Sequence, residues 1–541
     1  MKKALALILA LVMMLSLVAC GGKDTGKDNV DPADRVLHMR TNSALQSTDW
    51  QTTTLTCDMQ ILWVQVFEGL YGMDEANGGY YKLLAKDVAV DDTSTIYTIT
   101  LQDATFQNGN KLTAEDVVFS YGKAMENSRF NYLTSMIDKV EAKDEKTVVI
   151  TLKYAYSAID HTFWSLKIYN KAEYEQIVAK GETFGTKPHT AATGPYVLTA
   201  YDANGVTLKA YDAYWGGAPD IKNVEYRVIS EDAAAVIAFE NGELDYFTSV
   251  PASDWENVKK AAGDNCNMSK GNDITWVAVN NLSNVNNNIL ANEKVREAIA
   301  YAIDKNACVQ AATAGYGTPA YEYMPSEYVS TSPNYKDGNF ATFDLDIEKA
   351  KQCLRDAGYT DADMAAGIDI GEIVTYGAAT GVLGKVAVVL QANLAAIGLK
   401  AQVVVQEYAI IGDRLYGQQY DLAIFGDSGN FDFNNIRQQV HSESVGMYLV
   451  DFAAKNAFAV ANNKTTPFDW QKMEELVDKG VGTAVKEERY KIYTELWKMV
   501  MDTKTILPVL HKGVGIAWSS NITVPGLCPS YYHIDQWSWA A

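Results

Sequence analysis

The feature that most constrains the fold is a regular alternation of strand-like and helix-like segments in the C-terminal half of the 541-residue chain. Strand-like runs at 372–376, 401–405 and 420–425 alternate with helical patterns at about 381–397 and about 408–417. Such alternation predicts an α/β layer with a largely parallel sheet. Ligands of these sheets gather beyond the carboxyl ends of the strands. We therefore expect a binding site just after the third of these strands.

Capping residues mark helix starts elsewhere in the chain. Thr113 and Asp116 have the spacing of a capping box, and Asn292 and Asp346 stand directly before apolar stripes of helical period. Further strand-like pieces, most of them rich in β-branched and aromatic residues, lie at 35–39, 95–101, 147–152 and 224–229. A mixed chain of this length predicts about two to four domains.

The N-terminal segment has the layout of a secretory signal. Two lysines precede an uncharged run from Ala4 to Cys20 that ends on small residues. Its last four residues, LVAC, are similar to the bacterial lipobox, whose cysteine takes a lipid and becomes the mature N-terminus. We predict a signal peptide over 1–19, lipid attachment at Cys20 and a flexible tether over 20–33, where most residues are small or charged.

Charge and motif content exclude several kinds of protein. The formal net charge of −21 argues against nucleic acid as a partner, because phosphate binding depends on Lys and Arg. The cysteines after Cys20 lack C-x-x-C spacing, and Cys308 and Cys353 fall on helical segments as small core residues. Zinc-protease and phosphate-loop strings are absent, and a nickel site is disfavoured because His441 is the only histidine close after the third strand. We predict no cofactor and no metal.

Several motifs in order resemble the family 5 extracellular solute-binding proteins of bacterial ABC importers, a group that includes oligopeptide, dipeptide and nickel binders. These motifs are FQNG at 106–109, LTAEDVVFS at 112–120, TGPY at 193–196, YWGG at 214–217, VREAIAYAIDK at 295–305 and GYGTPA at 315–320. One of them alone is a weak signal. Together they run along nearly all of the mature chain in the order that the family has.

The resemblance implies a two-lobed, periplasmic-binding-protein-like α/β fold (type II, cluster C) with an extra third domain. Lobe I would be discontinuous, drawing on 34–72, 186–270 and 505–541. Domain II would fill 73–185, and lobe III would fill 271–504. The resemblance also implies a monomer that binds its ligand without changing it.

Candidate ligand-binding residues lie in the string GDSGNFD, which follows the third strand of the alternating segment. Peptide-binding members carry an aspartate there that pairs with the α-ammonium of the ligand, and such a partner is needed because an unpaired buried charge is costly. Matching without gaps puts Asn430 at that position and Asp427 where the family usually has tryptophan. Either Asp427 or Asp432 then supplies the charge, or the ligand is not an ordinary zwitterionic peptide. Ser428 and Gly429 belong to the same candidate site.

Three further candidates come from the resemblance. Trp276 stands where members often present an aromatic ring to the ligand, and a core tryptophan is the alternative. Leu45 and Gln46 lie where peptide binders align the ligand against a strand through backbone bonds. The sequence TDW at 48–50 departs there from the L-D-P of the family.

Two other functions compete with peptide binding. The G-D-S-G string resembles the nucleophile segment of trypsin-like proteases, so a secreted hydrolase would use Ser428. A serine nucleophile needs a histidine base, and no histidine here has the A-A-H-C setting of those proteases. A saccharide or other neutral solute is favoured by Asn430 and by the 32 tyrosines and 11 tryptophans of the chain.

The sequence therefore predicts a lipid-anchored receptor that captures peptides by hinge closure and delivers them to an ABC permease with cytoplasmic ATPases. Its expected place is the outer face of the bacterial cytoplasmic membrane, on the periplasmic side if the cell has an outer membrane. The main alternative is the same fold with an oligosaccharide or other neutral ligand. We expect no enzymatic activity.

Overall fold

The computed structural model describes residues 33–53, 55–74, 77–327, 329–407, 410–412, 414, 419–428, 431–441, 457, 460–461, 468–528 and 530–540. The predicted signal peptide, Cys20 and nearly all of the tether lie outside the described residues. Most of the helix predicted at about 408–417 lies outside them as well.

Nineteen strands are found in the described residues, and eleven of them form one mixed sheet. Their bounds are β1 Val36–Thr41, β2 Tyr71–Asp74, β3 Gly79–Lys82, β4 Ala85–Val90, β5 Ile96–Leu101, β6 Ile137–Ala142, β7 Thr147–Leu152, β8 Tyr196–Tyr201, β9 Gly205–Ala210, β10 Asn223–Val228, β11 Tyr246–Val250, β12 Cys266–Val279, β13 Thr318–Pro319, β14 Ile368–Tyr376, β15 Leu399–Gln406, β16 Leu422–Ser428, β17 Ile506–Trp518, β18 Ile522–Thr523 and β19 Ser538–Trp539. The order in the large sheet is β15-β14-β16-β12-β17-β11-β1-β10-β9-β8, and β13 pairs with β17. A separate antiparallel sheet has the order β4-β5-β7-β6.

The helices of the described residues cover the sheets. They are α1 Thr56–Met59, α2 Ala114–Glu126, α3 Asn131–Thr134, α4 Ile159–Ser165, α5 Lys171–Ala179, α6 Asp232–Glu240, α7 Trp255–Ala262, α8 Glu293–Ala302, α9 Lys305–Thr313, α10 Ile347–Asp356, α11 Asp361–Ala366, α12 Val382–Ala396, α13 Arg437–Val440, α14 Trp470–Val481 and α15 Lys486–Thr503. A π-helix spans Gln60–Val66, and a 3-10 helix spans Phe433–Ile436.

Several helices and strands lie where local sequence signals predict them. Thr113 and Asp116 form the predicted capping box at the start of α2. The side chains of Asn292 and Asp346 accept hydrogen bonds from the first turns of α8 and α10. The strand-helix-strand alternation is confirmed by β14, α12 and β15, and β14 pairs in parallel with both β15 and β16.

Two long strands, β12 and β17, connect the two halves of the large sheet. They pair antiparallel from the Cys266–Ala517 end to the Ala278–Ile506 end, with a break in register between Lys270 and Ile274 and a smaller irregularity, one extra residue on β17, between Thr275 and Trp276. On one side of the break the strands contribute to a core built from residues 274–510. On the other side Ile516 belongs to a second core, which otherwise comes mainly from residues 37–246. Because β17 serves both cores, a lobe limit at residue 505 stands at the start of a shared strand, and the domain limits remain a proposal.

A buried carboxylate, that of Glu68, binds the two aromatic residues of the YWGG motif. The hydroxyl of Tyr214 donates a hydrogen bond of 2.6 Å to Oε1 of Glu68, and the indole Nε1 of Trp215 donates one of 2.9 Å to Oε2. Burial raises the pKa of Glu68 to about 7. The ammonium of Lys167 lies in the same cavity, where it donates to the carbonyl oxygen of Trp164 at 2.6 Å. Burial lowers the pKa of Lys167 to about 7.

We expect Glu68→Gln to remove a pH dependence of stability. The pKa of Glu68 lies at about 7 in the folded protein and at 4.5 ordinarily. The wild-type free energy of unfolding should therefore fall by up to about 3 kcal/mol, relative to the variant, as the pH rises from 4.5 through 7. Urea unfolding of both proteins across this range measures the difference.

Lys167→Met is the matched control for the Glu68 prediction. The pKa of Lys167 lies below its ordinary 10.5, so wild-type stability should rise again above pH 7. The methionine variant loses that rise and keeps the fall below pH 7. Parallel pH profiles for the wild-type protein and Glu68→Gln would contradict the raised pKa.

Candidate ligand-binding site

The parallel strands of the large sheet end at one edge, where the sequence predicts a site. Strands β14, β15 and β16 end at Tyr376, Gln406 and Ser428. The hydroxyl of Tyr376 donates a hydrogen bond of 3.2 Å to the carbonyl oxygen of Gly426. The side-chain oxygen of Gln406 is buried and accepts no hydrogen bond within the described part of the chain. This edge therefore offers polar groups next to the end of β16.

A row of residues crosses the sheet at the same level. Asp427 lies opposite Ile274, Ile274 lies opposite His511, and His511 lies opposite Thr318. The backbones of Asp427 and His511 therefore lie at the same level of the sheet, with β12 between them. The row also places both residues beside the register break of β12 and β17.

His511 is a site residue that the sequence reasoning missed. Its side chain is 7% exposed, and neither ring nitrogen has a hydrogen-bond partner among the described residues. Burial lowers its pKa to about 4, so the ring is neutral at neutral pH. A sequence signal for His511 as a candidate is its position as the first polar residue after the apolar run at 506–510.

An aromatic wall faces the segment that follows β16. We define this wall as Tyr80, His161, Trp164 and Tyr531, and Phe431 packs against Tyr80 with ring centroids 5.6 Å apart. Within the wall Trp164 and Tyr531 meet at 4.9 Å, and Trp164 and His161 meet at 5.5 Å. The hydroxyl of Tyr80 and Nδ1 of His161 share a hydrogen bond of 2.8 Å.

Burial and the charge of Lys167 lower the pKa of His161 to about 4, so the aromatic wall is uncharged at neutral pH. The wall residues Tyr80 and Trp164 belong to the core of β1 to β11 or pack against it, and Phe431, which follows β16, packs against this same core. The two halves of the molecule therefore meet between the wall and the end of β16.

Asp432, the second candidate for the charged partner of a ligand, already has a partner. Its Oδ2 lies 3.0 Å from Nη2 of Arg489, and both side chains are nearly fully buried. Its Oδ1 accepts a hydrogen bond of 3.0 Å from the backbone N–H of Asn434. Burial raises the pKa of Asp432, and Arg489 opposes that rise.

The remaining candidate ligand-binding residues are Trp276, Leu45 and Gln46. Trp276 is 1% exposed and packs on Phe425 and Tyr323, so its ring lies in a core in this structure. Leu45 is buried, and the exposed side chain of Gln46 donates to the carbonyl oxygen of Ala44. The ligand-binding roles of these residues remain proposals.

Part of the predicted string is not described. Gly429 and Asn430 lie outside the described residues, and so do the side chains of Asp427 and Ser428. The backbone of Ser428 pairs with Asp273 on β12. Because β12 lies between β16 and β17, the backbones of Ser428 and His511 are separated by about 9.5 Å, which is two strand spacings.

The described residues also bear on metal binding and on membrane insertion. These residues contain no group of three or more His, Cys, Asp or Glu side chains that could hold a metal ion. Within the same part of the chain, none of the helices combines the length and apolar character needed to cross a bilayer.

The fold and the site edge define a class of extracellular solute-binding proteins, and sequence comparison gives the family. The family described as bacterial extracellular solute-binding proteins, family 5 Middle, matches residues 79–441. The chain belongs to this family. The resemblance stated from the motifs is confirmed, and so is the expected α/β fold of the periplasmic-binding-protein type with two lobes.

Relatives of the chain are named for different ligands. The heme-binding protein A of Haemophilus influenzae is 25% identical over 485 residues, which are 84% of this chain and 82% of that protein. The glutathione-binding protein GsiB of Salmonella paratyphi A is 26% identical over 479 residues, covering 84% and 85%. The oligopeptide-binding protein AppA of Bacillus subtilis, solved with a nonapeptide, aligns with a TM-score of 0.71 at 20% identity and covers 94% and 99%.

We expect Arg489→Met to destabilise the protein strongly. The substitution leaves the Asp432 carboxylate buried without its cationic partner, which costs about 3–5 kcal/mol. Because the pKa of Asp432 then rises further, the loss should be larger at pH 7 than at pH 4.5. Guanidinium unfolding at the two pH values measures it.

The control for this prediction is the double variant Asp432→Asn/Arg489→Met, which removes both charges and should recover much of the stability. A loss below about 1 kcal/mol in the single variant is the size expected of an exposed pair, and it would contradict a dry Asp432–Arg489 contact.

Proposed function

We propose that this protein is the lipid-anchored receptor of an ABC importer and that its ligands are peptides. The observation that carries the proposal is the arrangement of the site. The polar edge of β14, β15 and β16 lies in one half of the molecule, and the aromatic wall of the other half faces the segment after β16. A ligand between them contacts both halves.

Hinge closure follows from this arrangement. A ligand that touches both halves binds the closed form more tightly than the open form, and it shifts the equilibrium toward closure. The two halves are connected by β12 and β17, whose register break lies beside Asp427 and His511. We propose that the closed form is the one that the permease recognises.

Asp427 is our choice for the partner of the peptide ammonium. Asp432 is held by Arg489, and the site needs one carboxylate that is not already paired with a buried cation. Asp427 stands near the end of β16 in the row with His511, and His511 adds no positive charge to this row because burial lowers its pKa to about 4. The aromatic wall would receive apolar side chains of the peptide.

A neutral solute such as an oligosaccharide is the second candidate. Asn430 stands where the family has its amine-binding aspartate, and aromatic faces such as those of Tyr80 and Trp164 bind sugar rings as well as peptide side chains. The two candidates differ in whether the ligand needs a carboxylate in the site.

We expect Asp427→Asn to weaken binding of peptides with a free N-terminus by at least about tenfold, or about 1.4 kcal/mol. The same substitution should change the affinity for N-acetylated peptides little, because these peptides lack the ammonium group. A thermal-shift screen of peptides of two to eight residues against oligosaccharides measures this, since ligand at about 100 times its Kd stabilises by about 2.7 kcal/mol.

The exposed Asp369 is the matched control, and Asp369→Asn should bind as the wild-type protein does. If oligosaccharides raise the melting temperature and peptides do not, the neutral-solute candidate is correct instead. Bound peptide should be recovered intact, whereas a hydrolase that uses Ser428 would return fragments.

Lipid anchoring at Cys20 is the second part of the proposal. We expect Cys20→Ser to move the protein from the membrane fraction to the soluble fraction of cells. The acyl chains on Cys20 would anchor the wild-type protein durably, and the variant has no cysteine there to carry them. Fractionation followed by immunoblotting measures this. Cys57→Ser, which changes a partly buried thiol of the folded body, should stay with the membrane, and equal retention of both variants would contradict the anchor.

A further inference from the structure

One contact joins the two cores at a place away from β12 and β17. The segment 153–158, which we call the docking loop, connects β7 with α4, and these elements belong to the core of β1 to β11. The segment 482–485, which we call the receiving turn, connects α14 with α15 in the other core. The backbone N–H of Ser157 donates a hydrogen bond of 2.8 Å to the carbonyl oxygen of Val481.

The acceptor of this hydrogen bond is a carbonyl oxygen at the end of a helix, which needs a donor from outside that helix. Val481 is the last residue of α14. The final carbonyl oxygens of a helix accept no hydrogen bond within the helix, so other parts of the protein or water must donate hydrogen bonds to them. Here the N–H that satisfies one of them comes from the opposite half of the molecule.

Tyr156 adds a side chain to the contact. Its ring packs against both hydrophobic cores, and among the partly buried residues it is shared by the two. Burial raises the pKa of its hydroxyl, and the nearby charge of Asp432 raises it further, whereas a hydrogen bond with Asn434 opposes the rise. The ring therefore reaches from the docking loop to the residues that follow β16.

The receiving turn is held in shape by Arg489. Its Nη1 donates to the carbonyl oxygens of Thr483 and Ala484 at 2.8 Å and 2.7 Å. Its Nη2 pairs with Asp432 at 3.0 Å. One buried guanidinium thus holds Asp432, near Tyr156, and the turn that directly follows Val481, the residue to which Ser157 donates, so docking meets a preorganised partner.

We propose that the docking loop is a latch, which stabilises the closed form through contacts that the ligand does not make. The inference rests on the proposed hinge closure and assigns a role to the domain that carries β7 and α4. Apparent affinity equals intrinsic affinity multiplied by the fraction of molecules that are closed. The latch therefore sets the affinity for every ligand by the same factor, whereas the site edge sets the choice among ligands.

The test compares two tyrosines of the docking loop. Tyr156→Ala removes the ring that joins the two cores, and Tyr154→Ala changes a ring that is 48% exposed. In ligand-free protein we expect Tyr156→Ala to increase the radius of gyration in solution scattering. We also expect it to speed hydrogen exchange of the Ser157 amide at least tenfold. Tyr154→Ala should match the wild-type protein in both measurements.

Binding gives the second readout. Tyr156→Ala should weaken every ligand that the wild-type protein binds by one common factor of about ten, equal to about 1.4 kcal/mol. Tyr156→Phe, which keeps the ring, should weaken ligand binding less than Tyr156→Ala does. A loss confined to some ligands would overturn the latch, because Tyr156 would then be a ligand contact.

The ligand-free measurements separate this inference from the proposed function. If the Ser157 amide of the wild-type protein exchanges as fast as an exposed amide, the latch is wrong whatever the ligand is. If peptides fail to bind while Ser157 is protected and Tyr156→Ala opens the protein, peptide binding is wrong and the latch stands.

Discussion

The pairing of β12 with β17 is the constraint on which the rest of the structure depends. β17 takes part in both cores, whereas β12 contributes to the core of residues 274–510 and packs Cys266 and Met268 against a third, smaller core at its other end. A continuous sheet would make the molecule rigid, but the ladder is interrupted between Lys270 and Ile274. The break lies next to the row of the sheet that holds the backbones of Asp427 and His511, which is also the row of the proposed ligand site.

Two of the buried charged groups in the described residues hold together segments that are distant in sequence. Glu68 accepts hydrogen bonds from Tyr214 and Trp215, which explains why those two aromatic residues stand together in the chain. Arg489 binds Asp432 and two carbonyl groups of the receiving turn. Both groups organise backbone segments that are distant in sequence, so losing either charged partner leaves an unsatisfied group out of water.

Local sequence signals predicted local structure well. The capping residues Asn292 and Asp346, and the alternation that became β14, α12 and β15, depend on neighbours within a few residues. The same signals led to the end of β16 as the site edge, because the carboxyl ends of parallel strands meet there. The candidate ligand residues at that edge could be named only through the family resemblance.

Long-range pairings could not be predicted in this way. Asp432 and Arg489 are 57 positions apart, and nothing in either segment indicates that they meet. His511 was missed because only the register of β16, β12 and β17 places it in the same row as Asp427, two strands away. Tyr156 follows a strand of a different sheet, and its contact with the other core depends on how whole domains pack.

The register break has a mechanical consequence. Between the pairs Lys270–Gly513 and Ile274–His511, β12 has three residues where β17 has one, and Lys512 and Asp273 lie 3.0 Å apart across this surplus. Surplus backbone can change its dihedral angles while the ladders on both sides stay intact. If the two halves rotate about this break, as the proposed closure requires, the range of the rotation sets an upper limit on the size of the ligand that the closed form can hold.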